Sequence, residues 1–325
     1  MKRRDVLKLA GGLVAAPRLA LAQDSKVHRL GTLIPAVPIT PNTEYGDLLF
    51  PALAKRGYRL GENLALEARG AAGNIALIPQ YMAELKGAGV EVVVTVSYPA
   101  AAAAKASGLP TVLAMSSGDP VKTGLVDGLA RPGGNVTGIA DDAASLSAKR
   151  LSLLKQMIPG LKKVAMLWNR DDLGMSQRYD ASAAAAVADG VQVQALGVRA
   201  PDDFKDAFDA MLADPPGAIL MVSDSLTILN RTRVIEFAAA HRLPAIYEDQ
   251  RFVRDGGLMS YSADSAESFD RAAALVDQIF KGAKPGDLPV EQPTRYRFVL
   301  NLKTANAIGL DIPPTVSALA DEVIE

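Results

Sequence analysis

Apolar runs alternate with helical patterns along almost the whole chain of 325 residues. The run VEVVVTV, at 90–96, is nearly continuous and β-branched, which is typical of a strand buried on both faces of a parallel sheet. The segment 143–158 instead places Leu146, Arg150, Leu153 and Met157 at helical spacing, which predicts an amphipathic helix. Most predicted helices begin near an Asp, Ser or Asn, the residue types preferred at a helix N-cap.

These patterns predict a regular series of strands and helices. We predict strands over 27–34, 64–69, 90–96, 110–115, 162–168, 191–196, 218–222, 244–247 and 257–261, a short crossing strand over 135–138, and an extended segment over 290–300. We predict helices over 46–56, 79–86, 100–107, 143–158, 174–189, 202–212, 226–240, 265–281 and 301–308. Two blocks of alternating strands and helices predict two doubly wound α/β lobes, each with a parallel sheet and helices on both faces.

The stretch from Met115 to Gly138 separates the two blocks. It holds six Gly and two Pro and shows no helical pattern. Irregular stretches of this length are uncommon inside a compact domain and usually have a functional or linking role. We interpret it as the place where the chain leaves one lobe for the other.

The first 22 residues have the pattern of an export signal. A basic start with Arg3 and Arg4 precedes a short apolar region, and Ala20-Leu21-Ala22 forms a small-x-small cleavage pattern. The Arg pair resembles a twin-arginine signal, although Val6 stands where that motif prefers Phe; a Sec signal is the alternative. The apolar stretch is shorter than the roughly 20 residues of a membrane span. We therefore expect a periplasmic protein cleaved after Ala22, without membrane insertion.

Charge and composition narrow the function classes. The signal segment holds five of the 35 basic and one of the 36 acidic residues, so the remainder carries 30 against 35. An acidic balance does not suit nucleic-acid binding, which needs a basic face. There is no Cys, and the two His, His28 and His241, do not form a helix pair, so no metal or cofactor is expected. The chain also lacks a G-x-S-x-G elbow, a P-loop and a G-x-G-x-x-G motif after a strand, which argues against an enzyme.

Several separated motifs resemble one family. GDPVKTGLVDGLARPGGNVTG (118–138), KRLSLLKQMIPGLKKVAMLWN (149–169), YEDQRFVRDGGLMSYSADSAESFDRAA (247–273) and GDLPVEQPTRYRFVLNLKTANAIGL (286–310) are similar to the substrate-binding proteins of ABC importers, in the subfamily with tryptophan- and phenylalanine-binding members. The resemblance covers nearly all of the chain after the signal segment. It implies the type I periplasmic-binding-protein fold, in which a multi-strand hinge joins two lobes around a ligand cleft.

The resemblance also implies where the lobes divide. The first lobe would comprise 27–138 with a returning helix at 265–285, and the second would comprise 139–262 with the tail 290–325. Crossings between lobes would fall near 135–140, 261–264 and 286–291. Two segments depart from the family pattern, namely PAVPITPNTEYG at 35–46 and Ser-Tyr-Pro-Ala at 97–100. Both lie where ligand contacts are expected, so the ligand cannot be inferred from the aromatic amino acid binders.

Ligands of open α/β sheets bind outside the carboxyl ends of the strands, and this rule selects the candidate residues. In the first lobe, Ser97, Tyr98 and Pro99 stand at a helix N-terminus, where backbone N–H groups favour a carboxylate; alternatively, Ser97 is only an N-cap and Tyr98 covers the sheet edge. Ser116 and Asp119 follow the next strand, and Asp119 either caps a turn or binds a ligand ammonium.

The second lobe offers candidates at four strand ends, which are Trp168, Asn169, Ser223, Asp224, Tyr247, Glu248 and Tyr261. Trp168, the only Trp, could stack on an apolar ligand or pack in the core. Asp224 is at least an N-cap. A ligand that touches both Ser97 and Asp224 would stabilise only the closed form, which is what shifts a hinge equilibrium.

We therefore expect a solute-binding protein, monomeric and without catalytic activity, that delivers an amino acid or related carboxylate to the transmembrane subunits of an ABC importer. One alternative is an exported ligand-binding component that reports to a membrane sensor. A two-lobe α/β enzyme is a further alternative.

Overall fold

The computed structural model describes residues 26–115, 118–140 and 142–325. Its strands are His28–Ile34 (β1), Leu64–Gly70 (β2), Val92–Val96 (β3), Thr111–Met115 (β4), Val136–Gly138 (β5), Lys163–Asn169 (β6), Gln192–Val198 (β7), Ala218–Met221 (β8), Ala245–Tyr247 (β9), Met259–Ala263 (β10), Tyr296–Asn301 (β11) and Glu322–Ile324 (β12).

The α-helices alternate with these strands along most of the chain. They are Glu44–Lys55 (α1), Ile78–Gly87 (α2), Tyr98–Ser107 (α3), Ala143–Met157 (α4), Leu173–Ala188 (α5), Asp203–Ala213 (α6), Ser225–Leu229 (α7), Arg231–Ala240 (α8), Gln250–Arg254 (α9), Ser265–Phe280 (α10), Leu302–Ile308 (α11) and Pro314–Ser317 (α12). Short 3₁₀ turns occupy Ile75–Leu77 and Pro285–Asp287.

The strands form two sheets. The first has the order β2-β1-β3-β4-β5 and is parallel throughout. The second has the order β12-β11-β10-β9-β8-β6-β7, and only its β10–β11 pair is antiparallel. We call the first sheet with α1–α3 and α10 the first lobe, and the second sheet with the remaining helices the second lobe. The predicted fold class, two doubly wound α/β lobes, is confirmed.

Each sheet has a switch point, where successive strands are added on opposite sides of a starting strand. In the first lobe it lies between β1 and β3, and in the second lobe between β6 and β8. Of the strands at these points, β3 is buried over all five residues, as its valine-rich sequence predicts. The residues that follow these four strands are therefore placed at the crevice where ligands of such sheets bind.

Over the residues that the structure describes, the chain passes between the lobes three times. After β5, Ile139 forms a parallel bridge with Glu291, and Ala140 N–H donates to Glu291 O at 2.9 Å. After β10 the chain returns to the first lobe, where Phe269 of α10 is buried in the core beside β1, β3 and β4. Beyond Glu291 it re-enters the second lobe as β11. These neighbouring passages form the connection between the lobes.

Some elements differ from the sequence prediction for local reasons. The predicted helix over 226–240 is two helices, because Asn230 turns its backbone out of the helical region and its side chain bonds Leu226 O. The first helix starts earlier than predicted because the Thr43 side chain caps it at Gly46 N–H. The sequence reading missed α9, α12 and β12, which have three to five residues each and give little periodic signal.

Candidate ligand-binding site

A cavity of about 250 Å³ lies between the two lobes at both switch points. Its first-lobe wall follows β1, β3 and β4, and its second-lobe wall follows β8 and β9. The lining residues are Ile34, Ala36, Val37, Ile39, Thr43, Glu44, Tyr45, Val96, Ser97, Met115, Arg178, Ser223, Asp224, Ser225, Ile228, Leu229, Arg231, Glu248, Asp249 and Arg251. An apolar cavity of about 150 Å³ holds a benzene molecule, so this one has room for a ring with a short polar chain.

Ser97 is a buried polar residue of the first-lobe wall. It follows β3 with φ +71°, a left-handed conformation that costs a residue other than glycine about 1–3 kcal/mol. The residue is 3% exposed, and its Oγ has no hydrogen-bond partner among the described residues. Ser97 directly precedes α3, whose N-terminal N–H groups favour an anion. Backbone strain and an unused buried hydroxyl at one residue are typical of a functional position.

Ser223 and Asp224 form the corresponding part of the second-lobe wall, after β8. The Oγ of Ser223 is also buried without a partner in the described structure. The Asp224 carboxylate caps α7 by accepting the Thr227 N–H at 2.9 Å, and the Asp224 N–H donates back to Thr227 Oγ1 at 2.8 Å. Asn169 Nδ2 donates to Asp224 Oδ2 at 2.6 Å. These donors fix the Asp224 carboxylate at the cavity wall.

A second carboxyl group, that of Asp172, stands close behind Asp224. It caps α5 by accepting the N–H groups of Gly174 and Met175. Burial raises the pKa of Asp172 to about 7, and the negative charge of Asp224 adds to the increase. Burial also raises the pKa of Asp224, although its hydrogen-bond donors oppose that shift. The sequence reading did not single out Asp172.

Glu248 anchors a buried ion-pair cluster beside the cavity. Its carboxylate accepts from Arg150 Nη1 at 2.5 Å and from Arg178 Nη1 at 2.7 Å. Burial disfavours its charge, but the two guanidinium groups outweigh that effect and hold the pKa of Glu248 below its usual range. The cluster ties α4 and α5 to the end of β9, so it braces the second-lobe wall.

Direct contacts between the lobes surround the cavity. Arg251 Nη2 donates to the Tyr45 hydroxyl at 2.7 Å, and its guanidinium lies 5.0 Å from the centre of the Tyr45 ring. Gly118 lies against Gly174 so closely that a Cβ on Gly118 would come within 2.8 Å of Gly174 Cα. The structure therefore has its lobes together, with hydrogen-bonded and close-packed contacts at the rim.

Of the residues predicted from sequence, the structure brings Ser97, Ser223, Asp224 and Glu248 together at the cavity. Asn169 lies behind Asp224 rather than at the surface of the cavity. Asp119 caps a turn, which was one of its two predicted roles, because its carboxylate accepts from the Val121 and Lys122 N–H groups. Tyr98 and Pro99 form the first turn of α3 and do not line the cavity.

The aromatic candidates of the second lobe lie away from the cavity. Trp168 packs in the lobe core, which was one of its two predicted roles, and it stacks on Tyr179 with ring centres 3.7 Å apart. Tyr247 is fully buried and stacks on Phe252. Tyr261 stacks on Tyr296 in the paired strands β10 and β11. Ser116 and the export signal at 1–22 lie outside the described residues.

Sequence reasoning made no prediction for two prominent lining residues, Arg178 and Arg251, and it covered a third, Tyr45, only as part of the segment 35–46. All three lie in helices rather than at strand ends. A signal existed for one of them, because Arg178 shares a helix face with Met175 and Ser182, where a charge is unexpected unless it has a partner inside.

The chemistry of the cavity favours binding over catalysis. Neither the Ser97 nor the Ser223 hydroxyl contacts a base in the described structure, which a serine nucleophile would need. His28 packs against Phe280 and His241 against Phe237, both outside the cavity. Over the described ranges, no group of three or more His, Cys, Asp or Glu residues is placed to hold a metal ion. None of the helices in those ranges has the length and apolar character that crossing a bilayer requires.

Two α/β lobes that face each other across a cavity at their switch points define a protein of the type I periplasmic-binding-protein fold. A structure of a conserved domain protein from Vibrio cholerae O1 biovar El Tor has this arrangement, with a TM-score of 0.85 and 24% identity over 92% of this chain and 100% of that one. The family model for ABC transporter substrate binding proteins matches residues 46–324, and the chain belongs to that family. The resemblance predicted from the motifs is thereby confirmed.

Two further relatives carry names that mention a ligand. The chain is 23% identical to the tyrosine-binding protein of Clostridioides difficile over 261 residues, which are 80% of this chain and 74% of that protein. It is 24% identical to an ABC domain from Streptococcus pneumoniae solved in complex with L-Trp, with a TM-score of 0.80 over 91% of this chain and 100% of the other.

Proposed function

We propose that this protein is a periplasmic solute-binding protein that closes its two lobes around an amino acid or related small carboxylate and delivers it to an ABC importer. The family supplies the general class. The cavity supports the ligand type, since it is mostly apolar on one wall and polar on the other. Two relatives are named for tyrosine or were solved with L-Trp, which favours an amino acid as the ligand.

One observation carries the proposal. Ser97 and Ser223 come from opposite lobes and line the same cavity, and the Oγ of each is buried without a partner in the described structure. A buried polar group without a partner costs about 1–3 kcal/mol, so a ligand that bonds both is favoured only when the lobes are together. Such a ligand has the differential affinity that hinge closure requires. The carboxylate would face Ser97 and the N-terminus of α3.

A thermal-shift screen of the purified protein tests this function. The panel comprises L-Tyr, L-Trp, L-Phe, L-Leu, small carboxylates without an amine, and sugars. A ligand at about 100 times its Kd adds roughly 2.7 kcal/mol to the free energy of unfolding, which is a measurable shift. A shift with amino acids and none with sugars supports the proposal. A shift with sugars alone contradicts the proposed ligand class.

Transport itself needs a cellular measurement. Deleting the gene should abolish uptake of the radiolabelled ligand found in the screen, and a plasmid copy should restore it. Normal uptake with loss of a ligand-dependent transcriptional response would instead support the sensor alternative. Gel filtration of the same preparation tests the expected monomer.

A further inference from the structure

Asp172 and Asp224 form a pair of buried carboxyl groups beside the cavity. Asp172 follows β6 and Asp224 follows β8, and these two strands are adjacent and parallel. Asp172 is 2% exposed and Asp224 is 5% exposed. Asn169 connects the two loops, since its side chain donates to Asp224 and its backbone carbonyl accepts from the Asp172 N–H at 3.4 Å. In the described structure neither carboxyl is ion-paired with a basic side chain.

The charged side chains on the surrounding elements are directed elsewhere. On the loop before α5, Arg170 and Asp171 are exposed, and Asp171 pairs with Arg199 at 3.3 Å. On α5, Arg178 binds Glu248 at 2.7 Å, and at the start of α8 Arg231 binds Asp255. The pair therefore carries negative charge that these cations do not directly neutralise. Buried carboxylates without a cation are costly, so proteins neutralise them by protonation or by binding a cation.

The two carboxyls differ in their hydrogen bonds. Asp224 lies within hydrogen-bond distance of the Asn169 amide, the Thr227 N–H and the Thr227 hydroxyl, and the Leu226 N–H is a further donor. Among the described residues, Asp172 accepts from two donors, both backbone N–H groups. Donors favour the ionised form, so Asp224 is the carboxylate and Asp172 the group that holds a proton more readily. The raised pKa of Asp172, caused first by burial and then by Asp224, agrees with this order.

Asp224 also keeps room for one more donor. Each carboxylate oxygen has about two lone-pair sites, and the Asn169 amide occupies one of those on Oδ2. Asp224 lines the cavity, and so does the adjacent Ser223, whose buried Oγ is unpartnered in the described structure. A ligand cation that enters here meets one carboxylate directly and a second one behind it.

We propose that the ligand carries an ammonium group bound by Asp224, and that its arrival drives the proton off Asp172 into solvent. This inference rests on the proposed function and specifies its ligand as an amine-bearing acid. The new positive charge favours the ionised form of Asp172, and by reciprocity ionised Asp172 strengthens ammonium binding. Asp172 thus acts through Asp224 as a positioning charge and does not touch the ligand.

The ionisation of Asp172 should make ligand affinity depend on pH. Below neutral pH Asp172 is protonated, and binding has to expel its proton; above neutral pH it is already ionised. Affinity should therefore rise as pH increases from 6 to 8. With one linked proton the slope is at most about tenfold per pH unit. An ammonium ligand itself stays protonated over this range, so its own titration does not produce the slope.

Calorimetric titration with L-Trp and L-Tyr, at pH 6 to 8 and in two buffers of different ionisation enthalpy, tests the proposal. The unmodified protein should release a fraction of a proton on binding and bind more tightly at higher pH. Asp172→Asn keeps the oxygen that caps α5 but cannot ionise, so its affinity should not vary with pH and no proton should be released. Asp171→Asn, a change at the exposed neighbour, should behave as the unmodified protein.

Three results would overturn the inference. They are proton release equal in D172N and the unmodified protein, affinity independent of pH without substitution, or equal affinity for the deaminated analogues 3-(indol-3-yl)propionate and 3-(4-hydroxyphenyl)propionate. If the amino acids bind without proton release, the proposed function is supported and the proposed role of Asp172 is wrong. No binding of either amino acid or analogue counts against both.

The ligand-free protein supplies an independent check. Asp172 has a higher pKa folded, about 7, than its usual value of 3.8 when unfolded. The folded state therefore binds the extra proton between these values, and the stability it confers is lost as pH rises through about 7. The melting temperature of D172N relative to the unmodified protein should increase from pH 5 to pH 8. A constant difference would show that Asp172 does not titrate there.

Discussion

The two walls of the cavity differ in kind. The first-lobe wall is formed largely by aliphatic residues such as Ile34, Val37, Ile39 and Val96, with Ser97 as its buried polar group. The second-lobe wall carries Asp224 and the ion-pair cluster around Glu248, whose groups already bond one another. Apolar contact is non-directional, whereas hydrogen bonds fix an orientation. The first-lobe wall therefore tolerates variation in the shape of the ligand. The second-lobe wall is a fixed polar frame that orients it.

The largest effect should come from breaking the frame of the second lobe. Glu248→Ala leaves the buried Arg150 without its carboxylate partner, and breaking a buried pair costs about 3–5 kcal/mol. Glu44→Ala is the matched change on the first-lobe side, where the pair with Arg251 is partly exposed and contributes at most about 1 kcal/mol. Urea denaturation followed by circular dichroism measures both. Equal losses would mean that the two walls do not differ as described.

The next largest effect is on binding. Asp224→Ala should weaken amino acid affinity about 10- to 100-fold, because a hydrogen bond to a charged group contributes roughly 1.5–3 kcal/mol. It also removes the N-cap of α7, so Thr227→Ala serves as the control that disturbs the capping box but keeps the carboxylate. Calorimetric titration should show a large loss for D224A and little change for T227A. A similar loss in both variants would reduce Asp224 to a helix cap.

A smaller effect tests the first-lobe wall at its polar residue. Ser97→Ala and Ser97→Gly both remove the hydroxyl, but only glycine relieves the φ of +71°. We expect both to weaken binding roughly 2- to 10-fold, since the N-terminal N–H groups of α3 still face the ligand carboxylate when the hydroxyl is lost. S97G should be more stable to unfolding than S97A by about 1 kcal/mol. Differential scanning calorimetry measures that difference, and S97A being the more stable variant would show that the strain is not real.

These comparisons also explain which parts of the site the sequence could predict. Ser97, Ser223 and Asp224 were predictable because they directly follow apolar runs, and chain order alone places strand ends at the crevice. Arg251 and Tyr45 meet across the lobes from residues 206 apart in sequence, a contact with no local signal. Trp168 stood at a strand end too, but its direction depends on Tyr179, a partner that only the packing of α5 supplies.

The fold was more predictable than the site for the same reason. Alternating patterns and N-cap residues are local, and they gave the main strands and helices to within a few residues. Arg150 shows the limit: its place in the apolar stripe of α4 was visible in the sequence, but its partner Glu248 lies 98 residues away. A charge inside an apolar stripe predicts that a buried partner exists, not which residue it is.

The smallest expected effect concerns the contact between the walls themselves. Tyr45→Phe removes the hydroxyl that accepts from Arg251 but keeps the ring under the guanidinium. This bond forms only with the lobes together, so its loss should speed ligand dissociation about 2- to 5-fold and leave association unchanged. Stopped-flow fluorescence, with Trp168 as the reporter, measures both rates. Tyr58→Phe is the control, because the Tyr58 hydroxyl bonds Asp277 within the first lobe at 2.8 Å. If Y58F speeds dissociation as much as Y45F does, the effect arises from first-lobe stability and the Arg251 contact does not hold the lobes closed.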